Sequence, residues 1–110
     1  MTYKSQEVEG GETMHARVVT CQAQPGKIEE GISIYRDSAA PAAKQQKGFK
    51  GILLLTNPGT GKAISITLWE TEADMKAGES SGYFQEQIAK FGALLAAPPV
   101  RETYEVSVQV

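Results

Sequence analysis

The strongest constraint on this chain lies in residues 48–70. There "GFKGILLLT" (48–56) and "AISITLWE" (63–70) are separated by "NPGTGK" (57–62). Both runs are rich in β-branched and aliphatic residues, and Asn, Pro and Gly dominate the segment between them, which is the pattern of an antiparallel hairpin. Side chains alternate across a strand, so Ile64, Ile66 and Leu68 share one face while Ala63, Ser65, Thr67 and Trp69 share the other. On the first run Ile52 and Leu54 alternate with Leu53 and Leu55. A sheet half in water shows polar residues on one face. Here both faces of the hairpin are apolar, and each needs a cover.

"NPGTGK" also resembles the phosphate-gripping loop of nucleotide hydrolases, and the hairpin decides against it. That loop needs G-x-x-x-x-G-K-[ST] between a strand and a helix. With Gly61 and Lys62 as the G-K pair, Thr56 stands in place of the first glycine and Ala63 in place of the magnesium-binding hydroxyl. The residues after Lys62 have strand periodicity, so no helix N-terminus is offered to a phosphate.

The remaining elements fall around the hairpin. "MHARVVTCQAQ" (14–24) predicts a strand closed by Pro25-Gly26. Ile28, Ile32, Tyr35 and Ala39 form one helical stripe, with Pro41 predicting a kink or restart before the helix ends ahead of Gly48. "TEAD" (71–74) is a capping box opening a short helix that Gly78 and Ser80-Ser81-Gly82 interrupt. Phe84, Ile88, Phe91 and Leu95 make a second stripe, ended by Pro98-Pro99. Tyr104, Val106, Val108 and Val110 alternate along a last strand, 100–110. Residues 1–13 are polar and aperiodic and read as a flexible tail, which leaves one domain at 14–110.

The order β-α-β-β-α-β is the ferredoxin-like α+β plan, a four-stranded antiparallel sheet with helices on one face. Two helices cover one face only. A second copy packed sheet to sheet covers the other, so a homodimer is expected. With 110 residues and a net charge of −2, the composition argues against a nucleic-acid coat or an anionic-membrane binder. No apolar run reaches membrane-spanning length, and "MTYKSQEVEGGET" has no signal-peptide core, so a cytoplasmic location is the expectation. One cysteine, Cys21, and one histidine, His15, make neither an intrachain disulfide nor a Cys/His zinc site.

Laid out in full, the domain resembles the dimeric α/β-barrel superfamily, in particular the antibiotic-biosynthesis-monooxygenase-like domains. The resemblance covers residues 14–110. It rests on "QPGKIEE", "PAAKQQKGF", "GILLLTNPGTGKAISITLWETEADMKA" and "YFQEQIAKF", with Leu-Trp-Glu-Thr-Glu after the hairpin as its most specific part. It implies a dimeric barrel with a pocket in each subunit. In some members it implies oxidation of phenolic polycyclic substrates by O₂ without a cofactor, and in others the opening of haem. Trp69 matches the family's pocket tryptophan. Ser65 stands where the cofactor-free oxygenases carry Asn, and residues 71–97 hold no counterpart of the haem-binding histidine. The implied activity is a cofactor-independent monooxygenase acting on a small aromatic or phenolic compound. The alternative is a non-catalytic dimer that binds a small molecule or serves a structural role.

The candidate residues are chosen by chemistry and parity. Trp69 fits a core or a pocket wall equally well, but Ser65 and Thr67 share its face, and three polar-bearing residues suit a cavity better than a dry core. His15 is the only histidine, the side-chain type suited to act as a base near neutral pH, which puts it with Trp69 and Ser65 as a catalytic candidate. Arg17, on its face, suits an anionic ligand. Tyr35, Tyr83 and Phe84 complete the expected substrate contacts, the tyrosines through their hydroxyls.

Overall fold

A computed structural model describes residues 13–110. The expected tail, 1–13, lies outside the described residues except for Thr13. The strands are β1 (His15–Gln22), β2 (Phe49–Asn57), β3 (Lys62–Trp69) and β4 (Val100–Glu105). They form one antiparallel sheet in the order β2-β3-β1-β4, which is the ferredoxin-like arrangement. Helix α1 (Ile28–Ile34) runs through a π-helical turn (Tyr35–Ala39) into α2 (Ala40–Lys44), and α3 (Glu72–Ser80) and α4 (Tyr83–Ala89) come after the hairpin. No helix among the described residues is long and apolar enough to cross a membrane.

The sequence explains most of the joints. "NPGTGK" is a turn: the Asn57 carbonyl accepts from Thr60 N at 3.2 Å and Gly61 N at 2.8 Å, its side-chain Oδ1 accepts from Gly59 N at 3.0 Å, and β3 begins at Lys62. Thr71 caps α3, its Oγ1 accepting from Asp74 N at 3.0 Å. Pro41 lies in the first turn of α2, where the α-helix restarts after the π-helical turn. It has no N–H to give, and the turn before it widens so that Ala40 N–H donates to the Tyr35 carbonyl, five residues back. Gly48 links α2 to β2 at φ +82°, and a Cβ there would collide with the Asp74 side chain.

Three expectations need correction. Gly78 does not interrupt α3, which runs on to Ser80. Gly78 is buried, and a Cβ there would approach Tyr83 Cδ2 at 3.1 Å and Arg17 Nη2 at 3.6 Å, so the glycine makes room for packing. The second stripe is not one helix ending at Pro98-Pro99. After Ala89 the chain tightens into i+3 hydrogen bonds and a 3₁₀ turn at Gly92–Leu94, and Leu95 pairs with Ala23 beside the sheet. The last strand stops at Glu105, not Val110. Its partner β1 begins opposite at His15, and past that point, among the described residues, Val106 N alone finds a β1-side acceptor, the Met14 carbonyl at 2.9 Å.

The two sheet faces differ in how they are covered. Arg17, Val19 and Cys21 pair with Thr67, Ser65 and Ala63 on the face beneath the helices. The opposite face carries Val18, Ile64, Ile66 and Leu68, with Leu53, Leu55, Val100 and Tyr104 exposed around them. At one end of the covered face Trp69 (1% exposed) and Met75 (0%) are the largest fully buried side chains.

Candidate functional site

The helix-covered face does not close. Val19, Cys21, Ala63, Ser65 and Thr67 are short side chains on the central strands, and they leave space below the helices. Facing them are the members of both helical stripes, Ile28, Ile32, Tyr35 and Ala39 from one and Phe84, Ile88, Phe91 and Leu95 from the other. The result is a largely apolar cavity of about 110 Å³. The stripes that periodicity marks as core-facing therefore line a cavity wall.

Besides Lys27, Thr56, Tyr83 and Gln87, polar groups enter this wall as two pairs. In one, Tyr35 Oη and Ser65 Oγ share a hydrogen bond of 2.8 Å. In the other, Arg17 and Thr67 lie side by side, paired across β1 and β3. Arg17 is only 3% exposed. Its Nε donates to Glu79 Oε2 at 3.3 Å and its Nη2 to the Met75 carbonyl at 2.7 Å. Its guanidinium carbon sits 4.5 Å from the Phe84 ring centroid and 5.5 Å from that of Trp69, in cation–π range. Glu79 also takes a hydrogen bond from Arg101, which approaches Phe84 in turn.

Burial sets the protonation of this wall. Desolvation lowers the Arg17 pKa, and Glu79 opposes that shift. An arginine starts so high that it stays a cation. Desolvation raises the pKa of Tyr35, Tyr83 and Cys21; the Ser65 hydrogen bond partly offsets this for Tyr35, and Arg17 does so for Tyr83. All three keep their protons at neutral pH. The wall therefore offers hydrogen-bond donors and positive charge, and no group in it is a ready base.

The structure brings six of the eight sequence candidates to one cavity: Arg17, Tyr35, Ser65, Thr67, Tyr83 and Phe84. Trp69 and His15 are not in its wall. Trp69 stands behind Thr67, its Nε1 donating to Thr67 Oγ1 at 2.9 Å, with Phe49 edge-on to its ring. His15 sits opposite Trp69 at the sheet end, its Nδ1 2.9 Å from the Thr13 carbonyl. Glu79 and Arg101 escape sequence reasoning. The one available signal is that Glu79 falls four residues after Met75, on the same helix face. No three of the His, Cys, Asp and Glu side chains cluster among the described residues.

Comparison with known proteins agrees with this fold. The model of a family described as antibiotic biosynthesis monooxygenase matches residues 14–90. The chain is 30% identical over 101 residues, 88% of its length and 42% of the relative's, to the uncharacterized protein Rv2557 of Mycobacterium tuberculosis. It is 36% identical over 67 residues, 61% of its length and 28% of the relative's, to the uncharacterized protein Rv2558 of the same organism. It thus spans less than half the length of these curated relatives. Among solved structures it is similar to SnoaB, a cofactor-independent oxygenase from Streptomyces nogalater, with a TM-score of 0.74 and 16% identity over 89% of this chain and 97% of that one. It is also similar to a protein of unknown function from Nitrosomonas europaea, with a TM-score of 0.71 and 23% identity over 90% and 94% of the two chains. At these identities the structural likeness speaks to the fold alone.

Proposed function

The chain belongs to the antibiotic biosynthesis monooxygenase family, and from that premise we propose that it oxygenates a small phenolic compound inside the cavity, using O₂ and no cofactor. The observation that carries this reading is the cavity itself: an apolar space with a buried arginine, buried hydroxyls and no carboxylate in its wall. A cavity on the order of 150 Å³ holds benzene, so about 110 Å³ suits a single ring. The structural likeness to a cofactor-independent oxygenase is consistent with the same reading.

The reaction needs little from the protein. An electron-rich phenol loses its hydroxyl proton, and the phenolate gives an electron to O₂. The two radicals combine as a C–O bond forms at a ring carbon that bears hydrogen. Loss of that hydrogen and cleavage of the O–O bond give a quinone and one water, so phenol plus O₂ balances quinone plus water. The cavity would exclude bulk water and stabilise the anion through fixed donors.

A second reading keeps the ligand and drops the turnover. The wall holds no ready base, and His15 is outside it. A protein that only binds and sequesters the same compound would look like this. The open sheet face fits a second copy packed sheet to sheet under either reading. Oxygen-electrode measurements on desalted protein with electron-rich phenols separate the two. Uptake without added metal, flavin or haem, with matching quinone formation, supports catalysis. Binding without uptake leaves the sequestering role.

A further inference from the structure

The charges at the cavity are one-sided. The chain has 13 acidic and 11 basic residues, yet the wall contains Arg17 and Lys27 and no acid. Glu79, the carboxylate bonded to Arg17, lies behind it and is shared with Arg101, so among the described residues two guanidiniums face one carboxylate and one positive charge stays uncompensated.

Donors are also left over at this end. A guanidinium has five N–H groups. Those on Arg17 Nη1 meet no protein acceptor among the described residues. Thr67 is 8% exposed, and its oxygen accepts the Trp69 indole N–H, while its own O–H has no protein acceptor among the described residues. A buried donor without a partner is costly. Here an arginine and a threonine, neighbours across two strands, carry that cost together beside an apolar space.

We infer that the cavity takes its ligand as an anion, a single-ring aromatic compound whose charged oxygen is held by Arg17 and Thr67. The inference rests on the aromatic-ligand reading above and adds the charge state and its orientation: oxyanion toward Arg17 and Thr67, ring among Phe84 and the aliphatic side chains. It also removes the need for a base in the wall, because the ligand enters or ionises under the field of Arg17. Among the described residues, the charged and titratable groups around that position are Lys27 elsewhere in the wall, Glu79 on α3, Arg101 on β4, Tyr83 on α4, and Tyr35 and Cys21 across the cavity. The last three hold their protons more tightly than usual, so among the described residues Glu79 alone opposes the anion.

4-Nitrophenol tests this without turnover, because its electron-poor ring does not give an electron to O₂. Its phenolate is yellow, so protonation in the bound state is read directly. The bound phenol should ionise about one pH unit below the free one, a roughly tenfold preference for the anion. Arg17→Gln and Thr67→Val should each shrink that shift. Glu79→Gln should enlarge it by removing the competing carboxylate, a sign that loss of packing does not produce. Displacement by benzoate extends the site to carboxylates, and displacement by phenolates alone confines it to phenols. Either result supports an oxyanion site. A colourless bound form, equal displacement by neutral benzamide, or weaker phenolate binding in folded Glu79→Gln overturns it. Loss of oxygenation with the spectral shift intact strikes the catalytic reading and leaves this one standing.

Discussion

Trp69 and Thr67, two residues apart on one face of β3, are joined by a 2.9 Å hydrogen bond from the indole Nε1 to the threonine Oγ1. The bond fixes the threonine hydroxyl with its acceptor side occupied, so its hydrogen is free for the cavity. Trp69 thus reaches the ligand through Thr67. Trp69→Phe should weaken 4-nitrophenol binding several-fold and lower stability by about 1–3 kcal/mol in urea denaturation. Unchanged affinity in the folded variant would detach Trp69 from the site.

Gly48 and Asp74 make the sharpest steric test of the fold. Gly48→Ala places a residue at φ +82° and drives its Cβ into the Asp74 carboxylate. The left-handed conformation alone costs roughly 1–2 kcal/mol. The single variant should lose more than this, and adding Asp74→Gly, which also removes the crowding Asp74 Cβ, should restore the steric part only, measured against Asp74→Gly alone. Full recovery in the double variant would mean that the backbone conformation is not strained.

The uncovered sheet face predicts a dimer. Leu53, Leu55, Val100 and Tyr104 are 45–58% exposed around Ile66. Sedimentation at micromolar concentration should give about twice the chain mass, and Ile66→Asp should give the single-chain mass, because burying an unpaired charge is costly. A wild-type monomer would contradict sheet-to-sheet packing.

Tyr35 gives the protein an alkaline sensitivity. Burial raises its pKa in the folded state, so at pH above the ordinary tyrosine value of about 10 the unfolded chain loses the proton first. The stability that the protonated hydroxyl supports is present below that value and falls as pH rises through the folded pKa. Chemical denaturation as a function of pH should show this loss, and Tyr35→Phe should reduce it. An identical alkaline slope in the variant would assign the effect elsewhere, Tyr83 first.

Hydrophobic period makes the architecture legible. The parity of β3 separates Ser65, Thr67 and Trp69 from Ile64, Ile66 and Leu68, and the two helical stripes mark the residues that face the sheet. Thr71 announces its own cap. What sequence does not carry is distance. The stripes face a cavity because Ala63, Ser65 and Cys21 are too short to meet them, which is a property of three side chains on two strands together. The same holds for Glu79, which matters because α3 brings it to Arg17 from 62 positions away. The ends of the last helix and last strand are hidden from sequence for a related reason: periodicity continues past the point where β1 and Gly92–Leu94 withdraw the partners.

The most direct test of the central claim is the fate of dioxygen. Desalted protein, a chelator and an electron-rich phenol are incubated under heavy-isotope O₂, and the quinone is measured by mass spectrometry before it exchanges oxygen with water. The account predicts one labelled oxygen atom per newly formed carbonyl, one O₂ consumed per quinone, and loss of both in Arg17→Gln. An unlabelled product, or uptake that begins only when haem, flavin or metal is added, would contradict it.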